Sequence, residues 1–265
     1  MTRSGLVPRL LRGLPALYAV LLLVFLVAPS FLVVPMSFSG NDFLEFPPSS
    51  WSLRWYREFW SSPTWRSAAV TSGLVGLLTV ALSLPLGTLA ASAMRRMTAR
   101  WRALAGGVLM LPAVVPSILV AIGLFFVLSS VKMVGSLTGL VLGHTALALP
   151  IVFVVMSAGF AEFDDQLERA AESLGATRWR IWIDVILPNL RGSLVAAGLL
   201  AFVTSLDEVV VAMFVSGGQN ATLPKVMFAA LRDKIDPTVA AISSQLLLFA
   251  VIAMLAMLLS RRKKS

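Results

Sequence analysis

The chain contains no cysteine and a single histidine, His144, among 265 residues. Disulfide frameworks and thiolate metal sites are thereby excluded, and one imidazole leaves little with which to build a metal cluster. Charge is also scarce: Asp, Glu, Lys and Arg make up 13% of the chain, against about 25% in a soluble domain. No G-x-x-x-x-G-K-[ST] run occurs, so the glycine-rich cradle that grips nucleotide phosphates is missing and the chain does not hydrolyse ATP alone. What is abundant is apolar: 58% of the residues are hydrophobic, the composition of an integral membrane protein. The net charge of +9 is no nucleic-acid signature, because the arginines flank apolar spans instead of forming one stripe.

Six apolar spans are expected, at about 14–36, 67–93, 103–130, 136–160, 193–215 and 238–260, within a single transmembrane domain covering 1–265. Each exceeds the roughly 20 residues that a helix needs to cross the hydrocarbon core. Arg3, Arg9 and Arg12 precede the first span, but its apolar run exceeds the about 7–15-residue core of a signal peptide and no A-x-A site follows, so an uncleaved helix is expected. Pro85, Pro112 and Pro116 fall inside spans, where membrane helices tolerate them as kinks or as breaks along a substrate path. Residues 37–66 are polar and aromatic, with tryptophans suited to a membrane interface and a short surface helix near Leu53–Trp60. Gly135, Gly139 and Gly143 recur every four residues, as on a helix face built for close packing. His144 lies beside that face and is expected to be a hydrogen-bonded packing residue.

Six spans put both termini on one side, and the bias of Lys and Arg says which. The N-terminus, the 95–102 connection, the polar stretch 161–192 and the C-terminus hold 15 of them, against 7 on the opposite side. Both termini and the 161–192 stretch are therefore expected in the cytoplasm.

That stretch contains ERAAESLGATRWRIWIDVILP, Glu168 to Pro188. It reads as two short helices around a hinge: acids Glu162, Asp164, Asp165, Glu168 and Glu172 suit a helix N-terminus, Gly175 is a stop, Thr177 a cap, and Pro188 an end. An amphipathic hairpin on a membrane protein needs a partner or the bilayer surface to cover it. The segment resembles the cytoplasmic EAA loop of ABC importer permeases, E-A-A, three residues, G, nine residues, I-x-L-P, through Ala170, Ala171, Gly175, Leu187 and Pro188. The glutamate slot holds Arg169, with Glu168 one residue earlier, and the isoleucine slot holds Val185.

Asp207 and Glu208 are expected inside the fifth span, in the outer part of the core, with Thr204 and Ser205 a turn before them. An intramembrane acid is a functional-site hypothesis by default. The pair could line a path for a cationic substrate, meet a cation from a partner, or be hydrogen-bonded only. The run TSLDEVVVAMFVSGG…TLP, Thr204 to Pro224, is similar to the spermidine/putrescine branch of the same permeases, as is SLRWYREF, Ser52 to Phe59.

The resemblance implies an all-α membrane protein with the type I importer permease fold in a bacterial inner membrane. It also implies a transport role without enzymatic activity. The solute is expected to be a polyamine, or alternatively another organic cation, an amine-bearing metabolite or an iron complex. No cofactor is expected in this chain. ATP and Mg would be bound by two partner ATPase subunits, into which the Glu168–Pro188 loop docks. A second permease chain and a periplasmic or lipid-anchored binding protein complete the implied assembly. An intramembrane protease would need a serine–histidine pair or two facing aspartates, and a passive channel would leave the docking loop unexplained.

Overall fold

A computed structural model describes residues 7–262. Expectations that fall on Arg3, Lys263 and Lys264 lie outside the described residues, as do the side chains of Arg9, Arg12, Arg261 and Arg262. Among the described residues the regular structure is helical, and the single β contact is an isolated bridge between Ser39 and Trp51. The first six helices are α1 (Val7–Met36), α2 (Arg54–Ser61), α3 (Pro63–Arg95), α4 (Ala99–Val114), α5 (Ser117–Ser130) and α6 (Leu137–Ala161). Then come α7 (Asp165–Ser173), α8 (Arg178–Arg180), a π-helical stretch (Ile181–Ile186), α9 (Leu187–Asn189), α10 (Arg191–Asp207), α11 (Val210–Val215), α12 (Leu223–Asp233) and α13 (Thr238–Arg262).

Two compact units result, residues 64–228 and residues 7–63 with 229–262. In the terminal unit, α2 is the surface helix expected near Leu53–Trp60. The Tyr56 hydroxyl sits between the hydroxyls of Ser37 and Ser244, 2.7 Å from each, and so joins the end of α1 to α13 through α2. The loop between α1 and α2 closes on one carboxylate. Glu45 Oε1 accepts from the Asn41 side chain (2.7 Å), the Ser49 backbone N–H (2.8 Å) and the Ser49 and Ser39 hydroxyls (2.9 and 3.1 Å). The aromatics of this segment divide: Trp55 and Phe59 are buried, whereas Phe43, Phe46, Trp51 and Trp60 are exposed.

The central unit is a sandwich of α3, α6 and α10. Ala91 of α3, Ala148, Val152, Met156 and Phe160 of α6, and Ala197 and Ala201 of α10 share one buried cluster with Ile181 and Ile186. The small residues let backbones approach closely, which is how helices associate where the surroundings are as apolar as the side chains. His144, 1% exposed, places Nδ1 2.8 Å from Ser205 Oγ and ties α6 to α10, as expected of a packing residue.

Among the described residues three helical segments are long and apolar enough to cross a bilayer, Leu17–Met36, Pro63–Arg95 and Leu137–Ala161, or up to five if two bent pairs each count as one span. Two of the expected spans are broken. The third span, 103–130, is not one kinked helix: α4 and α5 meet at 101°. Val115 is extended (φ −73°, ψ 136°) because the residue before Pro116 is pushed out of the helical region. The fifth span is also interrupted, since α10 ends at Asp207 and Glu208 is extended (φ −79°, ψ 107°). The glycine row is not a uniform helix face either. Gly135 lies in a left-handed turn before α6 (φ +79°) and donates its N–H to the Val215 carbonyl. Gly143 does mark a close approach, for a Cβ there would meet Val211 of α11 at 2.9 Å.

Candidate functional site

The loop between α6 and α10 is built from local rules. Asp164 caps α7, its carboxylate accepting from the Gln166 N–H at 2.9 Å. At the other end Gly175 adopts φ +78°, a conformation that costs other residues a side-chain clash. Its N–H donates to Glu172 O and that of Ala176 to Ala171 O, the paired bonds of a Schellman ending. Thr177 then caps the next helix. Pro188 lies one residue before the end of that helix, close to where it was expected to stop. The segment runs through it from Arg178 to Asn189, because the π-helical stretch before it lets the backbone accommodate the proline, and the chain turns by 76° only at Leu190.

Ion pairs fasten the loop to the end of α3. Arg95 pairs with Asp165 and Arg96 with Glu168. Arg95 also lies over the rings of Phe160 and Phe163, 4.8 and 5.4 Å from their centres. Glu168, which stands one residue before the expected glutamate slot, thus points back into its own chain, and its side chain is 14% exposed. Arg169 is exposed, as is Ala170, whereas Ala171 packs against the buried cluster. The hinge presents two bare apolar groups, Leu174 at 88% exposure and Trp179 at 74%. Such groups at the tip of a charged loop form a knob that suits an apolar cleft. Neither residue nor the Arg95–Arg96 anchor stood out in sequence; the only signal was a basic pair directly after an apolar span.

The second region is the break between α10 and α11. Of four polar residues expected together on one helix, Thr204, Ser205 and Asp207 lie at the end of α10 and Glu208 lies just past it. Ser205 is buried on His144. Thr204 is half-buried and Asp207 is exposed at the last position of α10, where the carbonyls of the final turn also face outward. Glu208 turns its carboxylate onto the start of α11, accepting from the Val211 N–H at 2.8 Å. Asp207 has no cationic partner among the described residues. The region therefore concentrates negative potential: a carboxylate at the negative end of a helix dipole.

The segment after α11 is stitched to the same unit. The Asn220 side chain donates to Gly135 O (2.8 Å), the Leu223 N–H to Ser72 Oγ (2.7 Å) and Lys225 Nζ to Ser216 O (2.7 Å). Burial holds the Lys225 pKa below the ordinary lysine value.

Comparison with known proteins gives the site a context. Residues 83–265 match the family described as the inner membrane component of binding-protein-dependent transport systems. The putrescine transport system permease protein PotI of Escherichia coli K12 is 31% identical over 232 residues, covering 84% of this chain and 82% of its own. The spermidine/putrescine transport system permease protein PotC of Haemophilus influenzae is 29% identical, covering 90% of this chain and 93% of its own. In fold, the chain is similar to a bacterial ABC transporter involved in import of the acidic polysaccharide alginate. That match has a TM-score of 0.70 and 15% identity, and covers 99% of each chain.

Proposed function

The chain belongs to the family of inner membrane components of binding-protein-dependent transport systems, and from that premise we propose that it forms part of the import path for a polyamine such as putrescine or spermidine. It is a multi-pass inner-membrane permease of an ABC importer, a transport subunit and not an enzyme. The observation that carries the polyamine reading is the likeness to PotI and PotC along most of the chain, and the exposed Asp207 at the end of α10 supports it. A carboxylate there favours an ammonium group over a neutral or anionic solute by simple Coulomb attraction.

In this reading the loop from Glu168 to Pro188 docks on a partner ATPase. Leu174 and Trp179 enter a cleft, and Arg169 faces the partner in place of the motif glutamate. Ala170 and Ala171 allow close approach, Gly175 sets the hinge, and Leu187 and Pro188 join the loop to α10. Two ATPase copies bind ATP and Mg, this chain binds neither, and a second, homologous permease supplies the other half of the path. A binding protein delivers the solute on the face opposite the loop, and both termini lie in the cytoplasm. Closure of the ATPases moves the loop, and the bundles rock between inward- and outward-facing states. Thr204 and Asp207 face the solute, while Ser205 and Glu208 hold the helix ends that position them.

Uptake of labelled putrescine and spermidine, in cells lacking this chain with and without complementation, tests the reading. Restored, ATP-dependent uptake is expected. No restoration, with the complex shown to assemble, overturns the polyamine assignment and directs the search to other solutes.

A further inference from the structure

A cleft of about 650 Å³ opens in the central unit beside the end of α3, between α4 and α6. Its mouth is charged, with Arg95, Arg102 and Asp165, and its depth is apolar apart from Ser157. Gly106 and Gly107 form its α4 wall, and a Cβ built on either would meet nothing within 4 Å. None of the side chains of α4 is buried in this chain. The mouth sits where α3 leaves its apolar stretch, at a turn carrying Arg95, Arg96, Arg100 and Arg102 against two facing acids, Asp165 and Glu168. Arg102 is fixed in place by its own backbone bonds. Its Nε donates to Met94 O (2.9 Å) and its Nη2 to Arg95 O and Met97 O (3.2 and 3.1 Å), while Nη1 makes no bond among the described residues.

We propose that this cleft holds an anionic phospholipid, its phosphate against the Arg95–Arg102 mouth and one acyl chain along Gly106 and Gly107. Charge chooses the head group: the turn carries excess positive charge at the level where lipid phosphates lie, and basic pockets between membrane helices select anionic head groups. Shape chooses the tail. The apolar depth would give a free phosphate nothing to bind, and a helix, about 10 Å across, would fill the volume within about two turns. The lipid would cover the otherwise unpacked face of α4 and brace the α3–α4 turn to which the docking loop is fastened.

The test uses the assembled transporter in nanodiscs of equal phosphatidylethanolamine and phosphatidylglycerol, with retained lipid counted by mass spectrometry after purification. Phosphatidylglycerol is expected to be enriched on the wild-type complex. Gly107→Leu fills the cleft with a better helix former and abolishes the enrichment. Gly123→Leu, at another open glycine on α5, leaves it intact. Arg102→Gln lowers it about fivefold, the weight of one basic residue near an anionic surface. No enrichment in the wild type, or equal enrichment in the two leucine variants, overturns the proposal. So does displacement by inorganic phosphate, which marks a free-anion site. Dissociation of the permease pair by Gly107→Leu without loss of enrichment marks a protein interface and also overturns it. The readout involves no transported solute, so a failed polyamine assay leaves it standing.

Discussion

Two pairs of acids stand at helix boundaries in the central unit, and they are used differently. Asp165 and Glu168, in the first turn of α7, meet Arg95 and Arg96. Asp207 and Glu208, at the end of α10, meet no cation among the described residues. The first pair is a fastening, with charge balanced by a neighbouring helix of the same chain. In the second, Glu208 caps α11 and Asp207 is left exposed. An acid already paired gains little from a passing cation. One without a cation, set at the negative end of a helix, gains the full interaction.

The sharpest way to break this contrast is Asp207→Asn. Charge-assisted hydrogen bonds are worth about 1.5–3 kcal/mol, so uptake efficiency is expected to fall about tenfold or more with complex yield unchanged. Yield falling in step with uptake would instead make Asp207 structural. Next in size is Arg95→Gln, which removes an ion pair and two ring contacts. About 1–2 kcal/mol of stability is expected to be lost, with ATP hydrolysis continuing but no longer driven by loaded binding protein. A double-mutant cycle with Asp165→Asn should return a coupling energy, and additive effects would dissolve the fastening. Glu208→Ala should cost about 1 kcal/mol through loss of the α11 cap, and Glu208→Gln only a few tenths, read as thermal midpoints of the purified complex. Equal losses for both would show that charge, not capping, is what Glu208 supplies.

The smallest effect belongs to Glu45 in the terminal unit, an acid held by neutral donors. Its pKa lies below the usual 4.5, chiefly because the Ser49 backbone N–H donates to the carboxylate. A carboxyl lowered on folding adds stability above its unfolded value and loses it as pH falls through the folded one. The protection factor of the Ser49 amide, its exchange rate relative to the unfolded chain at the same pH, should therefore fall below pH 4.5 and stay level between pH 6 and 8. Loosening that begins near neutrality would assign the loop to another group.

Much of the loop between α6 and α10 was legible because its signals are local. Asp164, Gly175 and Thr177 each act within a few residues, so a short window contains the cause and the effect. The breaks at Val115 and Glu208 were less legible. Pro116 was visible, but a proline inside an apolar run reads equally as a kink, and the 101° turn depends on what packs around it. The DEVVV run carried no breaker at all. Hydropathy averages over the whole segment, and the capping bond from Val211 to Glu208 is a choice between two satisfactory backbones. The Gly135–Gly143 row misled for a related reason: spacing assumes the helix that it is meant to reveal, and Gly135 lies outside it. The Arg95–Asp165 contact joins residues 70 apart, beyond the reach of any periodicity.

The π-helical stretch from Ile181 to Ile186 has a consequence of its own. Each of its turns accommodates one residue more than an α-helical turn, so the segment carries slack. Winding that slack out would advance everything beyond it by about 100° around the axis and about 1.5 Å along it. Leu187 and Pro188 stand directly beyond. The junction between loop and membrane helix is thus built like a screw with one loose thread, able to convert a short push into a rotation of fixed size.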